Sequence, residues 1–479
     1  MNTKKNILVL LLDTVRARDG YSNAMPYLSG LARAGTAYMN TVSPATWTAP
    51  SHAALFTNMR ASSISGVSKD FLASSAIDPW FTQTKFLRAD ADTLARRISH
   101  LGYTTALFSN NPFLTSFTNL GTGFDRIYDM WLESNGKYNQ VLTDRVASVL
   151  RGGHKTRSRL SKASAAVAQL IPKRFIDSVY LSLRLRMDRG VAKADGTHKL
   201  DRGLADTSRR LAAHLDAEDA LTPQFLFMNF IEAHENYPVG RSDIVQDKWL
   251  YLSGILDLDS SVTKLFHRGY LKRLSYLDAR VNGMLSWLKE RGTLDDATVV
   301  ITSDHGQFFG EHGLLYHALP PYEEVVKVPL VAINYENGKP VKTQERVHSN
   351  VSTASLYGSL LDIASGKSDF LNGNLRASRY AVSEHLGISE GWDGELLRML
   401  KSRSSLAEKI YETKRRYNRR ATAVYSGNMK LIHFFNYRKD ELYDIGRDPL
   451  ETNNLIDSRR SDAHHLLNSY GHADPLTAA

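Results

Sequence analysis

The amino-acid sequence predicts an α/β fold with a mostly parallel central sheet flanked by helices, followed by a small C-terminal α+β domain that carries an antiparallel sheet. Two observations predict it. Short apolar runs without polar alternation, typical of strands buried on both faces, alternate with helical patterns. Beyond about residue 370 this order gives way to short strand-like pieces separated by turn residues. We therefore expect a large domain at 1–370 and a smaller one at 371–479.

Each element of this fold follows from a local pattern. Strands of the parallel sheet are predicted by the runs NILVLLLD, YTTALFSNN, PQFLFMNFIEAH and ATVVITSDH. Helices are predicted between them, at Met25–Arg33, Ala91–Leu101, Leu271–Arg291 and Ser352–Ile363. Strands of the antiparallel sheet are predicted by RYAVSEH, ATAVYSG, MKLIHFFNY and ELYDIG.

Composition excludes several classes of protein. The 479 residues are 42% apolar and 23% charged, which is ordinary for a folded chain. The absence of cysteine excludes disulfides, thiolate metal sites and cysteine nucleophiles, and suits a reducing compartment. The first apolar run, Ile7–Leu12, is shorter than the roughly 7–15 residues of a secretory signal, and no stretch approaches the roughly 18 of a spanning helix. We therefore expect a cytoplasmic protein without a signal peptide or transmembrane helix.

The net charge of +10 is concentrated in two stretches, Arg151–Lys193 and Lys401–Arg420. The first lies in a segment, 145–203, that is interpreted as a basic helical insertion. It has three readings: an interfacial helix giving peripheral contact with anionic membranes through 151–193, a rim that steers a polyanionic substrate, or the solvated face of an extra helical hairpin. Neither stretch contains a recognition module for nucleic acid, so a nucleic-acid partner is not expected.

Polar side chains follow the predicted strands of the parallel sheet at the point where each strand ends. They are Asp13, Asn110, Asn111, His234, Asp304 and His305. In parallel sheets, ligands bind beyond the carboxyl ends of the strands. These residues should therefore collect along one edge, which predicts an enzyme.

The motif TSDHG places Asp304 and His305 together, directly before Gly306. A carboxylate and an imidazole presented side by side suit a divalent metal ion. An ordinary turn, with the aspartate as cap and the glycine at positive φ, explains the same residues about as well.

Asp13 follows six apolar residues directly, and a carboxylate buried there without a partner would be costly. A metal ion shared with Asp304 and His305 would supply that partner. The alternative is an ion pair with Arg16 or Arg18.

Thr48 precedes Pro50 in SPATWTAPSHAALFT, and Pro50 is a suitable first residue of a helix. Thr48 would then lie just before the helix, where free N–H groups and the helix dipole favour an anion. Its hydroxyl could cap the helix. It could also attack a bound phosphate or sulfate if a metal lowers its pKa.

Four segments, in this order, resemble the sulfatase family of the alkaline phosphatase superfamily. They are NILVLLLDTVRA, SPATWTAPSHAALFT, ITSDHGQFFGEHGLLYHALPPYEEVVKVPLV and ELYDIGRDPLETNNL, with weaker support from FSNNPFL and NFIEAHENYP. The resemblance spans roughly Asn6 to Leu455 and implies the alkaline phosphatase/sulfatase-like fold, with 1–370 as the catalytic domain.

The resemblance implies the following roles. One divalent ion, Ca, Mg, Mn or Zn, would be held by Asp13, Thr48, Asp304 and His305. Thr48 falls at the position of the nucleophile, and the catalytic positions that bind the ester oxygens or assist the leaving group are His234 and His317. Weaker substrate-binding positions are Arg16, His52, Asn110 and Asn111. For a second metal, the nearest ligands in the sequence are Glu232 and His234.

The chain departs from the family pattern at the nucleophile position and at two other positions of the site. Sulfatases oxidise a Cys or Ser at the nucleophile position to an aldehyde, which Thr48 cannot form. His52 replaces an arginine, and Thr14 replaces a second acidic ligand. Thr nucleophiles occur in the phosphodiesterase and phosphomutase branches of the superfamily.

These departures predict a metal-dependent hydrolase, or transferase, of phosphate or sulfate esters that forms a covalent intermediate on Thr48. Phosphodiester or phosphonate substrates, either small or linked to a lipid or polymer, are favoured. The alternatives are a sulfatase that uses unmodified Thr48 and a catalytically silent binding protein.

Overall fold

The computed structural model describes residues 4–64, 85–130, 176–182, 200–239, 244–368, 375, 380–387, 397, 400–402, 404–435 and 438–472. The strands are β1 (Asn6–Leu12), β2 (Thr36–Val42), β3 (Thr104–Ser109), β4 (Arg126–Asp129), β5 (Gln224–Phe230), β6 (Asp296–Thr302), β7 (Phe308–Phe309), β8 (Leu315–Tyr316), β9 (Leu330–Glu336), β10 (Lys339–Pro340), β11 (Glu345–Ser352), β12 (Ala381–His385), β13 (Ala421–Ser426), β14 (Met429–Phe434) and β15 (Glu441–Asp444). The α-helices are α1 (Ala17–Gly20), α2 (Pro26–Ala34), α3 (Thr48–Thr57), α4 (Leu94–His100), α5 (Leu204–Ala217), α6 (Lys248–Leu252), α7 (Ser260–Glu290), α8 (Glu323–Val326), α9 (Leu356–Ala364), α10 (Ser405–Tyr417) and α11 (Arg460–His472).

The central sheet has nine strands in the order β11-β2-β9-β6-β1-β5-β3-β4, with β10 paired to β9. It confirms the predicted, mostly parallel sheet. Strand β9 is the exception, because it runs antiparallel to both β6 and β2. Leu330, the first residue of β9, pairs with Thr302, the last residue of β6. The chain therefore runs back along the sheet from the edge at which β6 ends.

Both faces of the sheet are covered, which explains the uninterrupted apolar run of β1. Ile7, Val9 and Leu11 belong to one apolar cluster, with α3, α4 and α9. The alternate residues of β1 belong to a second cluster on the opposite face, with α2, α5 and α7. The four predicted helices overlap α2, α4, α7 and α9. Within the described ranges, no helix combines the length and apolarity that crossing a membrane would need.

The four predicted C-terminal strands form one antiparallel sheet in the order β12-β13-β14-β15. It joins the large domain through a bridge between Ala45 and Glu384, whose N–H donates to the carbonyl of Pro44 at 2.9 Å. The predicted division at 370/371 falls among residues outside the described ranges and stays a prediction.

A buried charge cluster, which we call the Lys430 cluster, lies between the two parts. Lys430 Nζ is 3.1 Å from Glu323 Oε1 and 2.7 Å from Glu451 Oε1. Glu323 lies in α8 of the large domain, whereas Lys430 lies in β14. The cluster therefore joins the two parts by charge as well as by packing.

Most of the predicted basic insertion, 145–175 and 183–199, lies outside the described residues, so its membrane contact stays a prediction. Residues 176–182 are helical. Asp177 in this helix accepts hydrogen bonds from the hydroxyls of Ser404 and Ser405, both at 2.6 Å, at the start of α10.

Candidate active site

The carboxyl ends of four parallel strands bring most of the predicted site residues to one edge of the sheet. Asp13 directly follows β1, and His305 lies three residues beyond β6. Asp13, Asp304 and His305 form one group, whose ligand atoms all lie within 4.8 Å of one another. All three side chains are buried.

His305 connects the two carboxylates of this group. Its Nε2 lies 3.8 Å from Asp13 Oδ1 and 3.5 Å from Asp304 Oδ2. Its Nδ1–H donates to the carbonyl of Gly306 at 2.9 Å. Since a carbonyl only accepts, Nδ1 carries the hydrogen and Nε2 offers a lone pair to the group.

In each carboxylate, one oxygen accepts hydrogen bonds from described residues and the other accepts none from them. Asp13 Oδ2 accepts from Asn111 Nδ2 at 2.7 Å, and Asp304 Oδ1 accepts from the N–H groups of Thr14 and His305 at 3.3 and 2.9 Å. In contrast, Asp13 Oδ1 and Asp304 Oδ2 are buried and have no hydrogen-bond partner among the residues that the structure describes. Orphaned buried carboxylate oxygens beside an imidazole lone pair fit a divalent cation.

The pKa shifts of Asp13 and Asp304 also indicate that a cation or a proton is needed between them. Burial, and then the carboxylates of Asp304 and Glu235, raise the pKa of Asp13 well above its ordinary value. Burial acts in the same direction on Asp304, but His305 and His52 outweigh it and lower the pKa of that carboxyl. Two buried carboxylates this close require a shared proton or a cation.

The alternative ion pair of Asp13 with Arg16 or Arg18 is wrong, since Arg18 Nη2 lies 3.7 Å from Glu311 Oε1 and Arg16 also pairs elsewhere. Arg16 Nε donates to Asp19, and Arg16 Nη1 donates to Glu311 Oε1 at 2.8 Å. The guanidinium lies over the ring of Phe309, 4.8 Å from its centroid. The structure thus does not bring Arg16, predicted to bind substrate, into the group of Asp13.

Thr48 is the first residue of α3, with Trp47 as the N-cap residue. Its hydroxyl donates to His305 Nε2 at 3.2 Å. Two expectations need correction: Thr48 lies inside the helix rather than before it, and Pro50 is the third helical residue rather than the first. The hydroxyl therefore faces the group of Asp13 at the positive end of a helix, and the capping interpretation is not needed.

His52 supports this arrangement from within the protein. Its Nδ1–H donates to the carbonyl of Thr48 at 2.9 Å and lies 3.7 Å from Asp304 Oδ2. The side chain is fully buried against the rings of Phe56 and Phe227, and burial lowers its pKa. The predicted substrate-binding residue therefore connects α3 to Asp304 and has no surface open to solvent.

The two predicted asparagines are separated by the structure. Asn111 binds Asp13, as described above. Asn110 Nδ2 donates instead to the carbonyl of Gly203 at 3.0 Å and to the hydroxyl of Thr207 at 2.9 Å. Asn110 therefore fastens β3 to the start of α5, away from Asp13.

His234 and His317 form a second group around Glu235, which the sequence reasoning missed. Glu235 Oε2 lies 3.4 Å from His234 Nδ1 and 3.3 Å from His317 Nδ1. The ring of His317 is 4.5 Å from that of His305, centroid to centroid, so the two groups adjoin. The signal was present in the sequence, since Glu235 directly follows a predicted catalytic histidine.

Burial and mutual contact shift the pKa values of all three residues in this second group. Burial lowers the pKa of His234 and lowers that of His317 to about 3, against the opposing effect of Glu235. Burial would raise the pKa of Glu235, but His234 and His317 outweigh it and hold that pKa well below its ordinary value. Glu235 is therefore a carboxylate held between two imidazoles.

Glu232, the nearest residue in the sequence that could join His234 as a ligand of a second metal, lies elsewhere. Its Oε1 accepts from the N–H groups of Arg202 and Leu204, at 3.1 and 2.9 Å, where α5 begins. Glu235, and not Glu232, is the acidic partner of His234.

A buried acid–imidazole group therefore lies beside a hydroxyl at the carboxyl edge of this sheet. The chain belongs to the sulfatase family, whose model matches residues 5–366. A relative from Bacteroides thetaiotaomicron, N-acetylglucosamine-6-O-sulfatase, is 29% identical over 230 residues, which are 44% of this chain and 38% of that protein. The chain thus matches less than half of that relative's length.

Solved structures share the fold over nearly the whole chain. The phosphonate monoester hydrolase of Agrobacterium radiobacter superimposes with a TM-score of 0.59 at 17% identity, covering 98% of this chain and 95% of the other. A 2-O GAG sulfatase superimposes with a TM-score of 0.62 at 16% identity, covering 98% and 92%.

Proposed function

We propose that this protein is a metal-dependent hydrolase, or transferase, of phosphate or sulfate esters with Thr48 as its nucleophile. The observation that carries the proposal is the position of the Thr48 hydroxyl. It lies 3.2 Å from His305 Nε2, at the start of a helix and beside two carboxylates with orphaned oxygens. A hydroxyl in such a position is suited to attack an anionic ester.

One divalent ion, Ca, Mg, Mn or Zn, would be held by Asp13, Asp304, His305 and Thr48. When bound, such an ion neutralises charge on the ester and lowers the pKa of a nearby hydroxyl. The donor set of two carboxylates, an imidazole and a hydroxyl suits a hard or borderline ion. Asn111 positions Asp13, and the Gly306 carbonyl positions His305, as outer partners of such ligands commonly do.

The chemistry of the residues requires two displacements. The Thr48 hydroxyl first gives its proton to Nε2 of His234 or His317, which becomes an imidazolium. Thr48 Oγ1 then forms a bond to phosphorus or sulfur, the bond to the leaving oxygen breaks, and that oxygen takes the electron pair and the proton from the imidazolium. The Thr48 ester is then attacked at phosphorus or sulfur by water, or by an acceptor alcohol, which gives its proton to the imidazole. The bond to Thr48 Oγ1 breaks, and Oγ1 takes up the proton from the imidazolium, which restores the hydroxyl.

Phosphodiester or phosphonate monoester substrates fit this scheme well, since a threonine cannot form the aldehyde on which the usual sulfatase reaction depends. The fold shared with a phosphonate monoester hydrolase is in keeping with this choice. A sulfatase that uses unmodified Thr48 is the second candidate, favoured by the resemblance to N-acetylglucosamine-6-O-sulfatase.

The test compares Thr48→Ala with Thr48→Ser on aryl phosphate, phosphodiester, phosphonate and sulfate esters, with and without added divalent ion. Thr48→Ala should lose about 10³-fold or more of metal-dependent turnover. Thr48→Ser, which keeps the hydroxyl, should retain measurable activity. Metal-dependent turnover that survives in Thr48→Ala would refute the nucleophile, and a panel without turnover in the unaltered protein would favour a silent binding protein.

A further inference from the structure

We infer that Glu235 is the positioning residue for both candidate catalytic histidines, which it holds with their Nε2 atoms free for the substrate. The inference rests on the proposed function. Its first support is symmetry: Glu235 Oε2 lies 3.4 Å from Nδ1 of His234 and 3.3 Å from Nδ1 of His317. One carboxylate therefore approaches the same nitrogen of both rings.

Further acceptors fix the hydrogens on those nitrogens. His234 Nδ1–H donates to the backbone carbonyl of Glu235 at 2.8 Å. His317 Nδ1–H donates to Gln307 Oε1, also at 2.8 Å. The amide of Gln307 is itself oriented by Glu235, because its Nε2 donates to Glu235 Oε2 at 2.9 Å. Carbonyl and amide oxygens only accept, so both rings carry their hydrogen on Nδ1.

The two Nε2 atoms are consequently available. Neither has a hydrogen-bond partner among the described residues, and the side chains are 26% and 12% exposed for His234 and His317. The rings lie 4.9 Å apart, and that of His317 is 4.5 Å from His305, the partner of the Thr48 hydroxyl. Both rings therefore lie near the place where an ester of Thr48 would form.

Glu235 also suits the proton movements. Nε2 of one imidazole first takes the Thr48 hydroxyl proton and passes it to the departing oxygen. In the second displacement it takes a proton from the attacking water and passes it back to Thr48 Oγ1. Whenever a ring carries that proton it is positively charged, and the carboxylate faces its other nitrogen. A buried carboxylate behind an imidazole orients the ring and stabilises its charged form.

Glu232 provides a matched control. It lies three residues earlier, also beyond the end of β5, and its carboxylate is buried. Among the described residues, its Oε1 accepts from the backbone N–H groups of Arg202 and Leu204 at the start of α5. Glu232→Gln therefore tests the loss of a buried charge at this edge without disturbing either histidine.

The experiment measures kcat and KM of Glu235→Gln, Glu232→Gln and the unaltered protein on two esters of the same acid. One has a p-nitrophenolate leaving group, which departs without a proton, and the other has an alkyl leaving group, which needs one. Glu235→Gln should lower kcat on the alkyl ester about 10²-fold or more, and on the aryl ester less than about tenfold, with KM nearly unchanged. Glu232→Gln should change both esters by the same factor. An equal loss on both esters in Glu235→Gln would overturn the inference.

Two measurements distinguish a failure of this inference from a failure of the proposed function. Failure of the nucleophile appears in Thr48→Ala, whatever the leaving group. The ¹⁵N resonances of the imidazoles report the tautomer even where no ester is turned over. The unaltered protein and Glu232→Gln should show the Nδ1–H form for His234 and His317, and Glu235→Gln should lose it for at least one ring. Unchanged imidazole resonances in Glu235→Gln would also overturn the inference.

Discussion

Replacing Asp13 with asparagine is expected to stabilise the metal-free protein and to abolish its stabilisation by divalent ions. Without a cation, Asp13 Oδ1 and Asp304 Oδ2 are buried without partners in the same small group. Asparagine has the same shape, and its carbonyl oxygen can still accept from Asn111. Its amide nitrogen can then donate towards Asp304, so that repulsion is replaced by a hydrogen bond.

The magnitude follows from the separation. Two unit charges 4.8 Å apart, the upper limit for this group, repel by about 3.5 kcal/mol at an effective dielectric constant of 20. Partial protonation already removes some of this repulsion, because the pKa of Asp13 is raised. We therefore expect Asp13→Asn to gain about 1–3 kcal/mol in the presence of a chelator. The unaltered protein should gain about 2.7 kcal/mol from an ion at 100 times its Kd.

The sign of the pH dependence follows from the same group. A carboxyl whose pKa is higher in the folded than in the unfolded protein favours folding below its unfolded pKa and ceases to do so as the pH rises through its folded pKa. The contribution of Asp13 to the metal-free stability should therefore fall with rising pH. The advantage of Asp13→Asn should accordingly be greater at pH 8 than at pH 5.

The assay is urea unfolding at both pH values, with EDTA or with a divalent ion. Asp278→Asn is the control, because Asp278 is also buried but both its oxygens accept from backbone N–H groups, of Tyr27 and Leu28, at the start of α2. It should be destabilised and respond to metal as the unaltered protein does. The reasoning is refuted if Asp13→Asn is less stable in EDTA, or if metal stabilises it fully.

Two further perturbations test neighbouring parts of the structure. Asn111→Ala should weaken metal affinity about 10–100-fold because Asp13 loses the hydrogen bond that positions it. Asn110→Ala should lower stability by about 1–3 kcal/mol and leave metal affinity unchanged. Calorimetry of both variants would measure these effects. Lys430→Met should destabilise the protein by about 3–5 kcal/mol, since two buried glutamates lose their cation. Because those carboxylates then take up protons, this loss should be smaller at pH 5 than at pH 8 in urea unfolding.

The sequence predicted the strands of the central sheet well because both faces of that sheet are covered. A run such as Ile7–Leu12 has no helical period, and its length of six residues favours a buried strand over a buried helix. The polar residues at the strand ends followed from the topology of a parallel sheet. The reversed direction of β9 did not, since it depends on where the chain re-enters the sheet rather than on any local pattern.

Side-chain partners beyond the strand ends could not be predicted in the same way. Strand β5 ends at Phe230, after which the two-residue alternation no longer says which side chain faces the site. Glu232 accepts hydrogen bonds from backbone N–H groups at the start of α5. Glu235 is the carboxylate that contacts the histidines. Arg16 is likewise three residues from Asp13 in sequence, but Asp19 and Glu311 engage its guanidinium.

In the proposed reaction, a threonine nucleophile changes what the two histidines have to do. In a direct displacement the leaving group departs opposite Thr48, and the attacking water must later enter from that same side. The group that gives a proton to the leaving oxygen is therefore also placed to take one from the water. An imidazole held through Nδ1, with Nε2 free, can do both in turn. His234 and His317, backed by one carboxylate, meet this requirement, which a purely cationic side chain such as lysine would meet in the first step only.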